Sequence, residues 1–389
     1  MDMTLFDCGV DRRNTACVKW DVCGKVFEKD DVLPMWIADM DFAAPACVSE
    51  AIIRRASHGA FGYTISEPAE TQALIDWMKR RHGVDVEAQS VFYTPGVVDS
   101  LNVAVAALGK PGEKAALLTP VYGPFARSVE KAQMQAERCR LLETEEGWKI
   151  DFEKLESVFA AGTKLLLLCN PHNPVGRVWT RAELEQLVQL TRKYGVTIIS
   201  DEIHADLEMP EYKVTSILSV DEKAICLVSA TKTFNLAALK HSSVIIPDEA
   251  LMEKFTAEYQ KRGIGAINLF GSIAQRAAYE GGGQWLDALR AYLAGTRDMV
   301  EKFLSEELPC VKCSRLEGTY LMWLDFRALG LSQAELKKLM IEKASLGLSD
   351  GTDFGEEGTG FMRMNIATPR KNVERALMQL KRAVCEINK

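Results

Sequence analysis

Residues 164–202, KLLLLCNPHNPVGRVWTRAELEQLVQLTRKYGVTIISDE, read as a strand, a helix and a second strand. The runs KLLLLCN (164–170) and VTIISDE (196–202) are continuously apolar instead of alternating, the pattern of strands covered on both faces. Between them, TRAELEQLVQLTRKYG places apolar residues at helical spacing. Thr180, with Glu183 three residues on, predicts a capping box at its start, and Gly195 predicts its end. Two further continuous runs, KAALLTP (114–120) and KAICLVSA (223–230), extend the series, while SLNVAVAALGK and GPFARSVEKAQMQ carry helical periodicity. The expectation is an α/β fold with a mostly parallel sheet flanked by helices.

At 389 residues the chain exceeds the roughly 250–300 at which a single core stops growing. A second region follows the βα series: a long helical pattern, QWLDALRAYLAGTRDMVEKFLSEEL, a strand-like TYLMWLDF, and a last helix, RKNVERALMQLKRAVCEI. The glycines of YEGGGQW (279–285) suggest a hinge. We expect a turn-rich N-terminal arm that forms part of the small domain (1–45), a large domain (46–283) and a smaller α+β domain (284–389).

Composition narrows the function. Hydrophobic residues at 47% and charged residues at 26% suit a soluble globular protein, and a net charge of -7 without a Lys/Arg-rich block argues against a nucleic-acid surface. No stretch reads as a signal peptide or membrane span, so the expected location is the cytoplasm. Ten cysteines, most within apolar runs, suit reduced, buried thiols. Cys310 and Cys313 form a lone CxxC without nearby histidines, and no metal site is expected.

In a parallel sheet, ligands sit beyond the carboxyl ends of the strands. At those ends this chain carries Asn170 and Asn173, then Asp201, then Ser229, Thr231 and Lys232. Singly, each has a structural explanation in a turn or cap. Together they match the needs of pyridoxal phosphate, which has an aldehyde, a protonated ring nitrogen, a phenolic oxygen and a phosphate. Lys232 offers the amine, Asp201 a carboxylate for the ring nitrogen, Asn173 an amide for the phenolic oxygen and Tyr122 a ring to lie against the cofactor. For the phosphate, Gly96, Val97 and Val98 open a helix with free backbone amides, Ser229 and Thr231 add hydroxyls, and Lys240 adds a charge.

The chain resembles the cystathionine β-lyase or carbon-sulfur lyase branch of the aminotransferase-fold (fold type I) pyridoxal-phosphate enzymes. The blocks that carry the resemblance run nearly end to end: DRRNTACVKWD, LPMWIADMDFAAP, FGYT, YTPGVVDSL, TPVYGPF, NPHNPVGRVW, SDEIHADL, SATKTFNLAAL, EGTYLMWLDF and GFMRMNIATPR. It implies the same roles for Lys232, Asp201, Asn173 and Tyr122, and adds Arg363 as the binder of the substrate α-carboxylate. From its local sequence alone, Arg363 reads as a surface residue. The resemblance also implies a homodimer in which Tyr63 reaches the phosphate of the neighbouring subunit. Trp36 and Asp39 are candidates to line the substrate pocket, and His204 to orient Asp201 or Tyr122. Where members of the branch often carry AGL and an arginine, this chain has AALK, which weakens the phosphate role of Lys240.

The expected activity is α,β-elimination from cystathionine, cysteine or related S-conjugates to a thiol, pyruvate and ammonia, with Lys232 as general base. An aminotransferase on the same scaffold is the first rival. A regulatory protein that binds a transcription factor is the rival of another class.

Overall fold

The continuous apolar runs lie side by side in the computed structural model, which describes residues 4–265 and 267–387. After three short helices within residues 4–27 come α1 (Ala46–Ser57) and α2 (Pro68–Trp77). The main sheet then runs through β1 (Val91–Thr94), α3 (Val97–Leu108), β2 (Lys114–Thr119), α4 (Pro124–Lys131), β3 (Gln135–Arg140) and β4 (Thr163–Cys169). It continues through α5 (Arg181–Tyr194), β5 (Thr197–Asp201), β6 (Ile225–Val228), the one-turn helix α6 (Ala230–Thr233) and β7 (Ser242–Ile245). The strand order is β1-β7-β6-β5-β4-β2-β3. Among these strands β7 alone runs opposite to the rest.

Two-sided burial explains the unbroken apolar runs. Leu165 to Leu168 of β4 and Ile225 to Leu227 of β6 are no more than 2% exposed. Alternate residues feed opposite layers: Leu166 and Leu168 join one apolar cluster with Ala116, Leu118 and Ile198, while Leu165 and Leu167 join another with Ala115, Leu117 and Ile199. Each such leucine stabilises the fold by about 1.5–3 kcal/mol. Thr180 and Glu183 form the expected capping box of α5, and Gly195 closes it at φ +66°. Asn170, at the end of β4, serves the loop beyond it: its side-chain amide donates to the carbonyl of Thr215.

The chain continues through α7 (Leu269–Gly281) and the long α8 (Gly283–Glu307) into a four-stranded antiparallel sheet. Its strands are β8 (Lys312–Cys313), β9 (Leu321–Asp325), β10 (Ser349–Asp350) and β11 (Phe361–Asn365), in the order β8-β9-β11-β10, and α9 (Arg370–Ile387) ends the described chain. The N-terminal residues are laced onto this sheet. Leu33–Pro34 pairs with Leu346–Gly347, and Met35 accepts a hydrogen bond from the Asn365 amide at 2.8 Å. The fully buried ammonium of Lys19 meets Asp41 at 2.8 Å.

Burial of the cysteines is less general than the sequence suggested. Cys17, Cys23, Cys139, Cys169 and Cys226 are buried, whereas Cys8 and Cys385 are exposed. Among the described residues, no helix is long and apolar enough to cross a membrane.

Candidate active site

Strand β6 ends at Val228, and Ser229 turns the chain into α6 by accepting a hydrogen bond from Thr231 N at 3.1 Å. That one turn carries Lys232 inward. Its Nζ donates to the carbonyl oxygen of Ala38 at 2.5 Å, and the Tyr320 hydroxyl donates to the same oxygen at 3.0 Å. Burial pulls the Lys232 pKa down to about 8, against the opposing pull of Asp39 and Asp201; the Arg363 cation lowers it further. The far side of α6 is pinned by Thr233, which donates to Asp206 at 3.1 Å. Asp206 also receives hydrogen bonds from Trp77 and His82, both at 2.9 Å. Burial alone would raise the Asp206 pKa, but these donors hold it below the usual range.

Asp201 is the last residue of β5 and 7% exposed. One carboxylate oxygen accepts from Ile203 N at 3.0 Å. Burial drives its pKa up to about 7, although that amide and the Lys232 charge oppose the rise. A cation brought against this carboxylate would restore its ionisation.

Beyond β4, the NPHNPVG turn buries Asn173 and presents it toward β11. Arg363 of β11 donates from Nη1 to Asn173 Oδ1 at 3.1 Å, which leaves the Asn173 amide NH2 as a donor toward the site. The backbone N–H of Tyr122 donates to the Asn173 carbonyl at 3.2 Å, tying the β2–α4 loop to the same turn. Contrary to its local sequence, Arg363 is buried, at 5% exposure. Its Nη2 donates to the Trp36 carbonyl at 2.9 Å and to Ser349 Oγ at 3.0 Å, and its guanidinium lies 4.8 Å from the centre of the Phe354 ring. Arg363 has no carboxylate within ion-pair distance among the described residues, its buried Nε has no partner, and burial lowers its pKa to about 10.

The helix start expected to bind an anion is present. Gly96 is the extended N-cap of α3, followed by buried Val97 and exposed Val98. Ser229 Oγ is 2.7 Å from the His241 carbonyl, where it donates, and 2.8 Å from Thr231 Oγ1. The Ser229 proton is spent on the His241 carbonyl, so Thr231 is the donor in the contact between the two hydroxyls. Lys240 is exposed and shares a cavity of ≈ 170 Å³ with Thr94, Pro95 and His241, beside the α3 start.

Other candidates stand differently. Asp39 is engaged by Arg12 at 2.7 Å, and Trp36 reaches Arg363 through its carbonyl, its indole N–H donating to Lys19 O at 3.2 Å. His204 is buried, edge-on to Tyr320 with ring centres 5.9 Å apart, and no hydrogen bond joins it to Asp201 or Tyr122. Burial, reinforced by the charges of Lys232 and Arg363, keeps it neutral. Tyr63 is wholly exposed. The Ala38 carbonyl, Tyr320, Ser349 and Asp206 have no signal in the sequence, since their partners lie far away along the chain.

The set fits pyridoxal phosphate: an amine, a buried carboxylate, an amide oriented by its neighbour, a partly exposed ring and a helix start. The aminotransferase class I and II family model matches residues 30–380. Cystathionine beta-lyase PatB of Bacillus subtilis (strain 168) is 42% identical over 384 residues, which span 97% of this chain and 99% of that protein. Cystalysin from Treponema denticola, whose crystal structure contains pyridoxal 5'-phosphate, superposes with a TM-score of 0.95 at 33% identity, covering 98% of each chain. The pyridoxal-phosphate-bound C-S lyase from Staphylococcus hominis gives 0.90 at 31% identity, over 98% of this chain and 99% of that one. The chain belongs to the aminotransferase class I and II family.

Proposed function

We propose that this chain is a pyridoxal-phosphate-dependent carbon-sulfur β-lyase that cleaves cystathionine, cysteine or related S-conjugates to a thiol, pyruvate and ammonia. The observation that carries the reading is Arg363: a buried guanidinium without a carboxylate partner among the described residues, beside the amide of Asn173 and in electrostatic contact with Lys232. Such a cation suits the α-carboxylate of an amino acid, which a guanidinium grips in bidentate fashion. The lyase names of the relatives support elimination as the outcome.

When bound, the cofactor supplies an aldehyde for the amine and an electron-accepting ring. Asp201 would keep the ring nitrogen protonated, and Asn173 would donate to the phenolic oxygen. Tyr122 would cover the ring face, while the α3 amides from Gly96 to Val98, with Thr231, Ser229 and Lys240, would hold the phosphate. Arg363 fixes the substrate so that its α-proton faces Lys232. With a pKa of about 8, a useful fraction of Lys232 is the neutral amine that accepts this proton near neutral pH. The Ala38 carbonyl then receives the ammonium. The β-thiolate departs with the electron pair of the C–S bond, and water completes the release of pyruvate and ammonia.

We further propose the three-part division at residues 1–45, 46–283 and 284–389, and a homodimer in which Tyr63 completes the partner's phosphate site.

Two measurements test the reading. Purified holoenzyme should release pyruvate from L-cystathionine without an added keto acid; a strict need for one would make the protein an aminotransferase. Borohydride reduction followed by peptide mapping should find the cofactor on Lys232, and a label on another lysine would overturn the site.

A further inference from the structure

A cavity of ≈ 200 Å³ opens between the β2–α4 loop, which carries Tyr122, and the 351–355 turn. Its lining includes Val121, Gly123, Arg127, Asp353 and Phe354, and its remaining charged groups are Glu130 and Arg138. Phe354 is shared with the site described above: its carbonyl accepts from Val121 N at 2.9 Å, and its ring lies under the Arg363 guanidinium. A side chain at position 123 would put its Cβ 2.9 Å from Arg127 Nη1 and 3.0 Å from the Asp353 carbonyl, so glycine there lets both residues close in beside Tyr122. Arg127 and Asp353 line one cavity with opposite charge, yet they form no ion pair with each other. Among the described residues, neither side chain has a hydrogen bond or ion pair to any other group. The Arg127 charge acts on the Tyr122 hydroxyl, and that of Asp353 on Arg363, which Glu130 and Arg138 do not.

A separated cation and anion in a cavity that shares Phe354 with the site match a ligand group that itself carries both charges. We propose that Arg127 and Asp353 bind the distal ammonium and carboxylate of a substrate whose leaving thiol is itself an amino acid, as in cystathionine, and so set the preference for it over substrates with a small or hydrogen substituent on sulfur. Arg127 takes the distal carboxylate and Asp353 the distal ammonium. The inference rests on the β-lyase reading.

The test compares L-cystathionine with L-cysteine on holoenzyme. In Arg127→Ala and in Asp353→Ala, the ratio of kcat/KM for cystathionine to that for cysteine should fall about tenfold or more, as expected for loss of one charge-assisted contact. An unchanged ratio, or an equal loss for both substrates, would overturn the proposal. So would an equal fall in Arg138→Ala, which would trace the effect to net charge. Spectral titration of the cofactor band should show the same split in Kd without turnover. If wild-type holoenzyme released no pyruvate from either substrate, the lyase reading would fail while this titration still judged the pair.

Discussion

Asp201 and Lys232 illustrate how a site is made reactive at a cost to stability. The unfolded carboxyl ionises near pH ~3.9, whereas burial raises the folded value of Asp201 to about 7. The folded protein therefore bears no penalty from this group below the unfolded pKa, accumulates one as pH rises between the two values, and carries it fully above about 7. Cofactor-free Asp201→Asn should gain stability over wild type in urea unfolding at pH 8, and gain less at pH 5. An equal difference at both would mean that the carboxyl is not perturbed. Loaded with cofactor, the same variant should lose elimination by about two orders of magnitude, the typical effect of one preorganised electrostatic group. Lys232 titrates in the opposite sense. Burial disfavours its charged form, so labelling of Lys232 by an amine reagent in the cofactor-free protein should rise through pH about 8 instead of near the ordinary ~10.4. A midpoint at the ordinary value would remove its claim to act as a base near neutrality.

Among the elements, the glycines of 281–283 serve close packing more than turning. Gly282 alone separates α7 from α8, with φ at an ordinary -83°. A Cβ there would meet Phe234 Cε1 at 2.5 Å and the Ala278 carbonyl at 2.6 Å. Phe234 is fully buried two residues after Lys232, so it has little room to retreat. Gly282→Ala should destabilise the protein by about 1–3 kcal/mol, the usual cost of overpacking, measured by denaturant unfolding. A neutral effect would show that the helix junction yields easily. Strand β3 shows the other side of legibility. GPFARSVEKAQMQ reads as helix to its end, but α4 stops at Lys131, Gln133 turns at φ +56°, and Gln135 begins an edge strand. Polar residues with one buried position, Cys139, suit an edge open to solvent and leave no continuous apolar run to read.

For the whole molecule, the 58–66 segment is the part least explained by one chain. It forms no helix or strand, and Phe61, Tyr63 and Ile65 are exposed, Tyr63 completely. Beside it, α1 and α7 line a groove of ≈ 770 Å³ that also includes Thr64 and Ile65. An aromatic with no packing in its own subunit suits the proposed reach across a dimer axis, apolar face to the interface and hydroxyl to an anion. Mixing Lys232→Ala with Tyr63→Phe subunits should then create one complete site per mixed dimer and restore activity above both parents. Activity no higher than that of the Tyr63→Phe parent would place Tyr63 in its own subunit's chemistry.

Much of this protein is legible without coordinates, for a physical reason. Strands buried on two faces must be apolar throughout, so 164–170, 196–202 and 223–230 declare themselves, and their ends point to Asn173, Asp201 and Lys232. The α5 cap at Thr180 and Gly195 is equally local, because an N-cap and a left-handed C-cap are settled within a few residues. Arg363 is different: its local pattern suits a surface strand, and only the resemblance assigned it to the substrate. Its burial depends on Trp36, Ser349 and Asn173 arriving from three distant segments. The same holds for the Ala38 carbonyl that receives Lys232 across 194 residues, and for the separation of Arg127 from Asp353. Local sequence determines which strands and helices form and which groups stand at their ends; the distances between those groups, and hence their desolvation and proton affinity, exist only once the segments are packed together.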